Sequence, residues 1–288
     1  MTARLRPYSR QVPQTRIGIS GWTYPPWRRV FYPDGLPQRR ELEYASRQVG
    51  SIEINGSFYA LQRPESFRAW AEQTPERFVF SVKAGRFITH MKKLRDVDTA
   101  LANFFASGVL ALGPKLGPLL WQLPPNLGYD ADRLEAFLSL LPRTTAAAAE
   151  LAAQHDARVE DRAWVTTDAD RPVRHALEVR HASYETASFL ALLRAHGVAV
   201  VTADTAGKWP LIEEQTADFA YVRLHGAEEL YASGYSDVAL DRWAAKVRGW
   251  GQDRDVFVYF DSDVKVRAPF DAMSLMRRLD LGPEDTFR

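Results

Sequence analysis

Eight short runs of β-type residues recur along the chain, at residues 17–20, 51–55, 78–83, 118–123, 176–180, 198–204, 219–225 and 256–261. Stretches with helical periodicity separate most of them, at 41–49, 64–73, 96–105, 132–141, 183–196, 237–250 and 269–279, with a poorly signalled one at 211–215. Ser183 is the candidate N-cap of the fifth helical stretch and Gly197 its stop. Eight alternations of strand and helix in 288 residues predict a single (β/α)8 TIM-type barrel. A doubly wound open sheet is the alternative. No Pro/Gly/Ser-rich linker divides the chain, so residues 1–15 read as an N-terminal extension and 16–288 as one barrel domain. Two stretches break the repeat. Residues 21–37 form an aromatic-rich loop after the first strand, and 143–171, alanine-rich and then charged, are expected as an inserted helical segment and surface loop at the far end of the barrel.

Composition narrows the chemistry. The chain has no cysteine, which removes disulfides, Cys-ligated zinc, iron–sulfur clusters and a thiol nucleophile. With 46% of residues hydrophobic and 12% of residues aromatic, disorder is excluded. No apolar run of about 18 residues occurs, and the basic start is not followed by an apolar segment. No membrane association and a cytoplasmic location are therefore expected. The net charge of +1 conceals an asymmetry: residues 1–100 hold 17 Lys or Arg against 9 Asp or Glu, and the remainder 20 against 27. That asymmetry hints at an anionic partner.

Side chains alternate between the two faces of a strand. If the apolar set faces the helices, the barrel axis receives Gly18 and Ser20; Glu53 and Asn55; Val79, Ser81 and Lys83; and Leu120 and Gln122 from the first four strands. The last four supply Ala176, Glu178 and Arg180; Val200, Thr202 and Asp204; Tyr221, Arg223 and His225; and Phe257, Tyr259 and Asp261. Seven strands thus carry a polar or charged residue at their C-terminal inner end, where barrel enzymes hold their chemistry. Glu53, Glu178, Asp204, His225 and Lys83 are the candidate catalytic groups. Mutual neutralisation of four acids and three bases is the structural alternative. An uncompensated buried charge costs several kcal/mol, so either pairing or function must account for such a throat.

Around the throat lie further candidates. Trp22, Tyr24 and Trp27 in the first loop, with Tyr59 beside Phe58 after the second strand, could stack on a ligand; a self-packed lid is the alternative. Lys83, Arg86, His90, Lys92, Lys93 and Arg95 make a basic loop suited to phosphate or carboxylate. Glu178-Val-Arg180-His181 and His225-Gly226 are the densest clusters. Asn55, Gln122, Arg180, His181, Arg223, Tyr259 and Asp261 complete the candidate binding set. No phosphate-binding G-x-x-x-x-G-K-[ST] loop, H-E-x-x-H or G-x-S-x-G occurs.

Taken in order, these residues are familiar. Ile17-Gly-Ile-Ser-Gly-Trp22, Phe31-Tyr32-Pro33, Glu53-Ile-Asn55, Phe80-Ser-Val-Lys83, Leu119-Leu-Trp-Gln-Leu-Pro124, Glu178-Val-Arg-His181, Tyr221-Val-Arg-Leu-His-Gly226 and Tyr259-Phe260 resemble the YecE-like family, a barrel family that carries a domain-of-unknown-function label. The resemblance runs from about Arg16 to Leu279. One departure is Asp261-Ser262-Asp263, where that family commonly shows an amide. The resemblance implies a barrel with a polar pocket at the strand C-termini. It supplies no reaction, because fold does not give function.

Three functions follow. The first is a hydrolase or lyase acting on a small anionic substrate, such as a phosphorylated sugar or nucleotide. Lys83, Arg180 and Arg223 would hold the anion, and Glu178 and His225 would exchange protons. The second is a metal-assisted phosphodiesterase acting on nucleic acid, with a divalent metal on Glu53, Glu178, Asp204, His225 and Asp261; the sequence permits the metal without requiring it. The third is a binding module using the aromatic mouth. A retaining glycosidase fits less well, since its carboxyls stand about 5–5.5 Å apart and Glu53 and Glu178 sit on non-adjacent strands.

Overall fold

A computed structural model describes residues 12–226, 234–261 and 266–282. Eight strands close into one parallel barrel in sequence order. They are β1 (Thr15–Ser20), β2 (Ser51–Ile54), β3 (Val79–Lys83), β4 (Leu116–Gln122), β5 (His175–Glu178), β6 (Ala199–Asp204), β7 (Phe219–Leu224) and β8 (Asp255–Phe260). The outer layer holds α1 (Glu41–Ala45), α2 (Gly56–Tyr59), α3 (Pro64–Gln73), α4 (Asp98–Ala106), α5 (Ala131–Leu140), α6 (Thr145–Ala152), α7 (Ala187–Ala195), α8 (Asp237–Trp250) and α9 (Ala268–Arg278). The TIM-type barrel expected from the alternation is therefore the fold. Part of the expected 1–15 extension lies outside the described residues, and β1 already begins at Thr15. No helix among the described residues is long and apolar enough to cross a membrane.

Two apolar layers result. The larger lies between the sheet and the helices and contains Ile17, Ile19, Ile52, Ile54, Phe80, Trp121 and Val258. The smaller fills the barrel axis with Leu120, Ala176, Ala199, Val201, Ala203, Phe219, Tyr221, Phe257 and Tyr259. Seven strands present the faces expected from their alternation. On β6 the faces are reversed: Ala199, Val201 and Ala203 point inward, while Val200 joins the outer core. The cause is volume. Tyr221, Phe257, Tyr259 and Arg223 crowd the axis from β7 and β8, so the adjoining strand supplies small side chains. Outward, Thr202 donates to the Ile212 carbonyl at 2.9 Å and the Val200 amide donates to Thr216 Oγ1 at 2.8 Å.

Two other expectations are corrected, and a third is met. Residues 211–215 form no helix, and the β6–β7 connection instead docks through Thr202 and Thr216. Ser183 does not cap α7; Thr186 does, its hydroxyl accepting from the Phe189 amide. The 143–171 segment folds as α6 and a 3-10 turn over Glu160–Arg162, held to the stretch before β5 through Thr145 and Arg171.

The close approach of β1 to β2 depends on one glycine. A Cβ on Gly18 would stand 2.0 Å from the Ser51 carbonyl oxygen. Gly18→Ala should therefore destabilise the fold by on the order of 3 kcal/mol or more, measured by urea denaturation. A second prediction concerns His175, fully buried on β5. Its Nδ1 accepts from Trp121 Nε1 at 3.1 Å, so Nε2 carries the proton and donates to the Pro142 carbonyl at 2.7 Å. Burial, aided by Arg143 and opposed by the Pro142 bond, lowers the imidazole to about 4. The unfolded chain then binds the extra proton between its ordinary value of about 6.5 and about 4. Stability should fall by about 3 kcal/mol as pH drops through that window, a slope that His175→Leu should lack.

Candidate active site

The inner residues at the C-terminal end of the barrel converge on one guanidinium. Arg223, fully buried on β7, donates from Nε to Glu53 Oε2 at 3.1 Å and from Nη2 to Glu53 Oε1 at 2.8 Å. It also donates from Nη1 to Glu178 Oε2 at 2.7 Å and from Nη2 to Asp261 Oδ2 at 2.7 Å. Glu53 accepts further bonds from Ser20 Oγ at 2.9 Å and the Tyr221 hydroxyl at 2.6 Å. Arg180 donates from Nε to Glu178 Oε1 at 2.8 Å. His225 lies with Nε2 at 3.3 Å from Arg223 Nη1 and Nδ1 at 3.1 Å from Asp261 Oδ2. Strand alternation thus gathers residues from β1, β2, β5, β7 and the end of β8 around one cation.

This geometry sets the charges. Burial would push the Glu178 and Asp261 carboxyls up. Arg180 and Arg223 overcome it at Glu178, and Arg223 and His225 at Asp261, so both stay well below the usual carboxylate range. Burial likewise opposes the Arg223 charge, and Glu53, Glu178 and Asp261 reverse that, holding its proton more firmly than in water. At neutral pH Glu178 is an ion-paired acceptor and not a proton donor. The guanidinium that was to hold an anion is already occupied by carboxylates.

Lys83 is different. It ends β3 on the inner face, and its Nζ lies 4.4 Å from the Phe58 ring centroid. Burial, followed by the Arg223 charge, lowers its ammonium to about 8 against the partial support of Asp261, Glu53 and Glu178. His90 packs edge-on to the same Phe58 ring at 5.1 Å, and its Nδ1 meets Thr89 Oγ1 at 2.9 Å. Burial first, then Lys83, Arg180 and Arg86, push His90 down to about 4. Three cations therefore act on one imidazole at the mouth. Beside them, Asn55 Oδ1 and Gln122 Oε1 are buried without a hydrogen-bond partner. Such an atom costs roughly 1–3 kcal/mol, and each needs an explanation.

Other expected residues stand elsewhere. Asp204, on the reversed strand, points out of the throat and accepts from the Tyr235 hydroxyl at 3.1 Å. Trp27 is completely buried against Tyr24, Phe31 and Tyr32, so it cannot stack on a ligand. Trp22 packs edge-on to Trp70 at 5.3 Å, outside the barrel wall. Tyr24 closes over β1, its hydroxyl donating to the Ser20 carbonyl at 2.7 Å. The first loop is thus a self-packed aromatic unit. Tyr259 lies deep in the barrel, bonded to Ser51 Oγ at 2.8 Å, and does not reach the mouth. His181 is exposed and caps the 3-10 turn over Ala182–Tyr184, accepting from the Ser183 amide. Tyr59 is 69% exposed, edge-on to Phe58 and 5.9 Å beneath Arg86. Ser262 and Asp263 lie outside the described residues.

Trp209 escaped the sequence reading. Its ring supports the Arg180 guanidinium at 3.9 Å, fixing the arginine between an aromatic face and Glu178. Its only signal was its position after Asp204-Thr-Ala-Gly207-Lys208, a fragment with no phosphate loop to complete it. Among the described residues, no cluster of three or more His, Asp or Glu is disposed to hold a metal ion. Where Glu53, Glu178, Asp261 and His225 meet, Arg223 stands at the centre.

Arg223→Met would remove the cation shared by Glu53, Glu178 and Asp261, the first two fully buried. It should destabilise the fold by about 3–5 kcal/mol at pH 7. The native carboxyls at Glu178 and Asp261 are held low, so their stabilisation is present above the ordinary carboxylate range and is lost as pH falls through and below it. In the variant the same carboxyls bind protons more readily when folded. The gap between the two proteins should therefore narrow below about pH 4, measured by urea denaturation at pH 7 and in acid.

The comparisons with known proteins agree with this architecture. The family model described as "Protein of unknown function DUF72" matches residues 16–286. The "UPF0759 protein YecE" of Escherichia coli (strain K12) is 33% identical over 127 residues, 44% of this chain and 44% of that protein. The "UPF0759 protein YunF" of Bacillus subtilis (strain 168) is 29% identical over 114 residues, 38% of this chain and 39% of that protein. The matched stretch spans less than half the length of these curated relatives. A solved DUF72 family protein from Thermotoga maritima superposes with a TM-score of 0.74 at 23% identity, covering 93% of this chain and 99% of that one. Another from Enterococcus faecalis gives 0.71 at 16% identity, covering 93% and 96%. From the matched family and the shared barrel, the chain belongs to the YecE-like DUF72 family.

Proposed function

We propose that this protein is an enzyme that binds a small substrate bearing a phosphate or carboxylate at the C-terminal mouth of the barrel, and that Lys83 exchanges a proton with it. The observation that carries this reading is the place of the Lys83 amine, at the inner end of β3 with Nζ 4.4 Å from the Phe58 ring centroid, where burial lowers it to about 8. A group titrating near the working pH is suited to both accept and donate a proton. Burial is the main cause of the shift, so the neutral amine is accessible without a strong base beside it. Phe58 shields one side of Nζ and leaves a hydrophobic wall against water.

The anion preference is supported by the field at His90. Lys83, Arg180 and Arg86 all act on that imidazole, and a positive field in a low-dielectric cleft concentrates anions. Arg180, held against Trp209 and Glu178, adds a fixed positive charge to the same cleft. Glu53, Glu178 and Asp261 take a different role from the one expected of them: they anchor Arg223 and keep the floor of the cleft rigid.

Competitive acetylation followed by peptide mass spectrometry tests the reading. Lys83 should react with a midpoint near pH 8 in the native protein and near the ordinary lysine value of about 10.4 in a denatured control. Inorganic phosphate should slow its labelling and raise the midpoint, since an anion stabilises the ammonium. A Lys83 midpoint near 10.4 in the native protein, unaffected by phosphate, would sink the proposal.

A further inference from the structure

The throat contains two amides whose side-chain oxygens have no hydrogen-bond partner. Gln122 ends β4 and is 4% exposed, yet its Oε1 has no hydrogen-bond partner. Asn55 follows β2 at the N-cap position of α2, where an Asn side chain ordinarily accepts from the helix N-terminus. It makes no such bond, and its Oδ1 is also buried and unpartnered.

The barrel brings these two amides to the same place. Ile54 pairs with Val82, so Asn55 and Lys83 follow one another on adjacent strands and face the axis. Lys83 pairs with Leu120, and Gln122 lies two residues further on, paired with Glu178. Adjacent strands are about 4.8 Å apart, so the two amides flank Lys83 from β2 and β4. An amide oxygen requires a donor, and the amide NH2 beside it requires an acceptor. A hydroxyl can act as both.

We propose that Asn55 and Gln122 form a subsite for the hydroxyl groups of a polyhydroxylated substrate, placed on either side of Lys83. This rests on the proposed proton exchange at Lys83 and deepens it. The substrate then has two parts: an anionic group held by the cations around His90, and a hydroxyl-bearing carbon chain or ring seated on the two amides. The arrangement also sets specificity, because a ligand lacking the hydroxyls leaves both buried amides unpaired, and such sites discriminate strongly.

The test uses three probes, D-ribose 5-phosphate, D-ribose and inorganic phosphate, titrated calorimetrically into the intact protein. The native protein should bind D-ribose 5-phosphate about tenfold or more tightly than inorganic phosphate. Gln122→Met and Asn55→Leu should each weaken D-ribose 5-phosphate by about tenfold and leave inorganic phosphate within about twofold. Gln122→Met should also raise Tm by about 2–4 °C, because it removes an unsatisfied buried amide. That gain separates a binding role from a structural one. Equal affinity of the native protein for D-ribose 5-phosphate and phosphate would overturn the inference. So would variants that bind D-ribose 5-phosphate normally, or that lose both ligands together. The reading of Lys83 fails in a distinguishable way: phosphate does not bind, while D-ribose binds and is weakened by Gln122→Met, which supports the hydroxyl subsite by itself.

Discussion

The guanidinium of Arg223 sits without solvent contact at the axis of the barrel. A cation in that position would cost several kcal/mol if left alone. Glu53 offsets it through two parallel bonds, and Glu178 and Asp261 supply one each. These partners come from β2, from β5 and from the residue after β8, so a single side chain ties strands on opposite sides of the barrel. Its bulk also shapes the packing beneath. Arg223, Tyr221, Phe257 and Tyr259 fill the axis from β7 and β8, and Gly18, Ser51, Ser81 and the small residues of β6 accommodate them.

The same interaction decides where chemistry can occur. Carboxylates held ionised by arginines are poor proton donors, and a saturated guanidinium is a poor anion receptor. What the network leaves out is the rim above it. Lys83 titrates near physiological pH because it is desolvated, and Asn55 and Gln122 keep unused hydrogen-bonding capacity. The paired floor and the rim are thus two layers of one structure. The floor is assembled by pairing, and the rim is defined by groups left out of that pairing.

The barrel was readable from the chain because its signal is local and repeated. Alternation within each run separated the two faces on seven strands, and it brought Glu53, Lys83, Gln122, Glu178, Arg223, His225 and Asp261 to the axis. It failed on β6, where both faces are apolar or small. There the rule that apolar residues face the helices sent Ala199, Val201 and Ala203 outward, and Asp204 was misplaced with them. The aromatic loop misled for a related reason. A cluster of Trp and Tyr can stack on a ligand or on itself, and composition cannot separate these; in the fold Trp27 is wholly enclosed. Thr186 displaced Ser183 as the α7 cap because both offer a hydroxyl, and the position of the preceding 3-10 turn selects between them.

By itself the sequence determined the eightfold repeat, the absence of thiol chemistry, and a polar inner face at the strand ends, since each is a property of composition or of short-range periodicity. It did not determine which charges neutralise one another. Glu53 and Arg223 are 170 residues apart, and Glu178 and Arg223 are 45 apart. Periodicity reads one strand at a time and contains no information on contacts across the axis. Only closure of the barrel decided that three acids would be consumed by one arginine, that Trp209 would support Arg180, and that two amide oxygens beside Lys83 would be left unpaired.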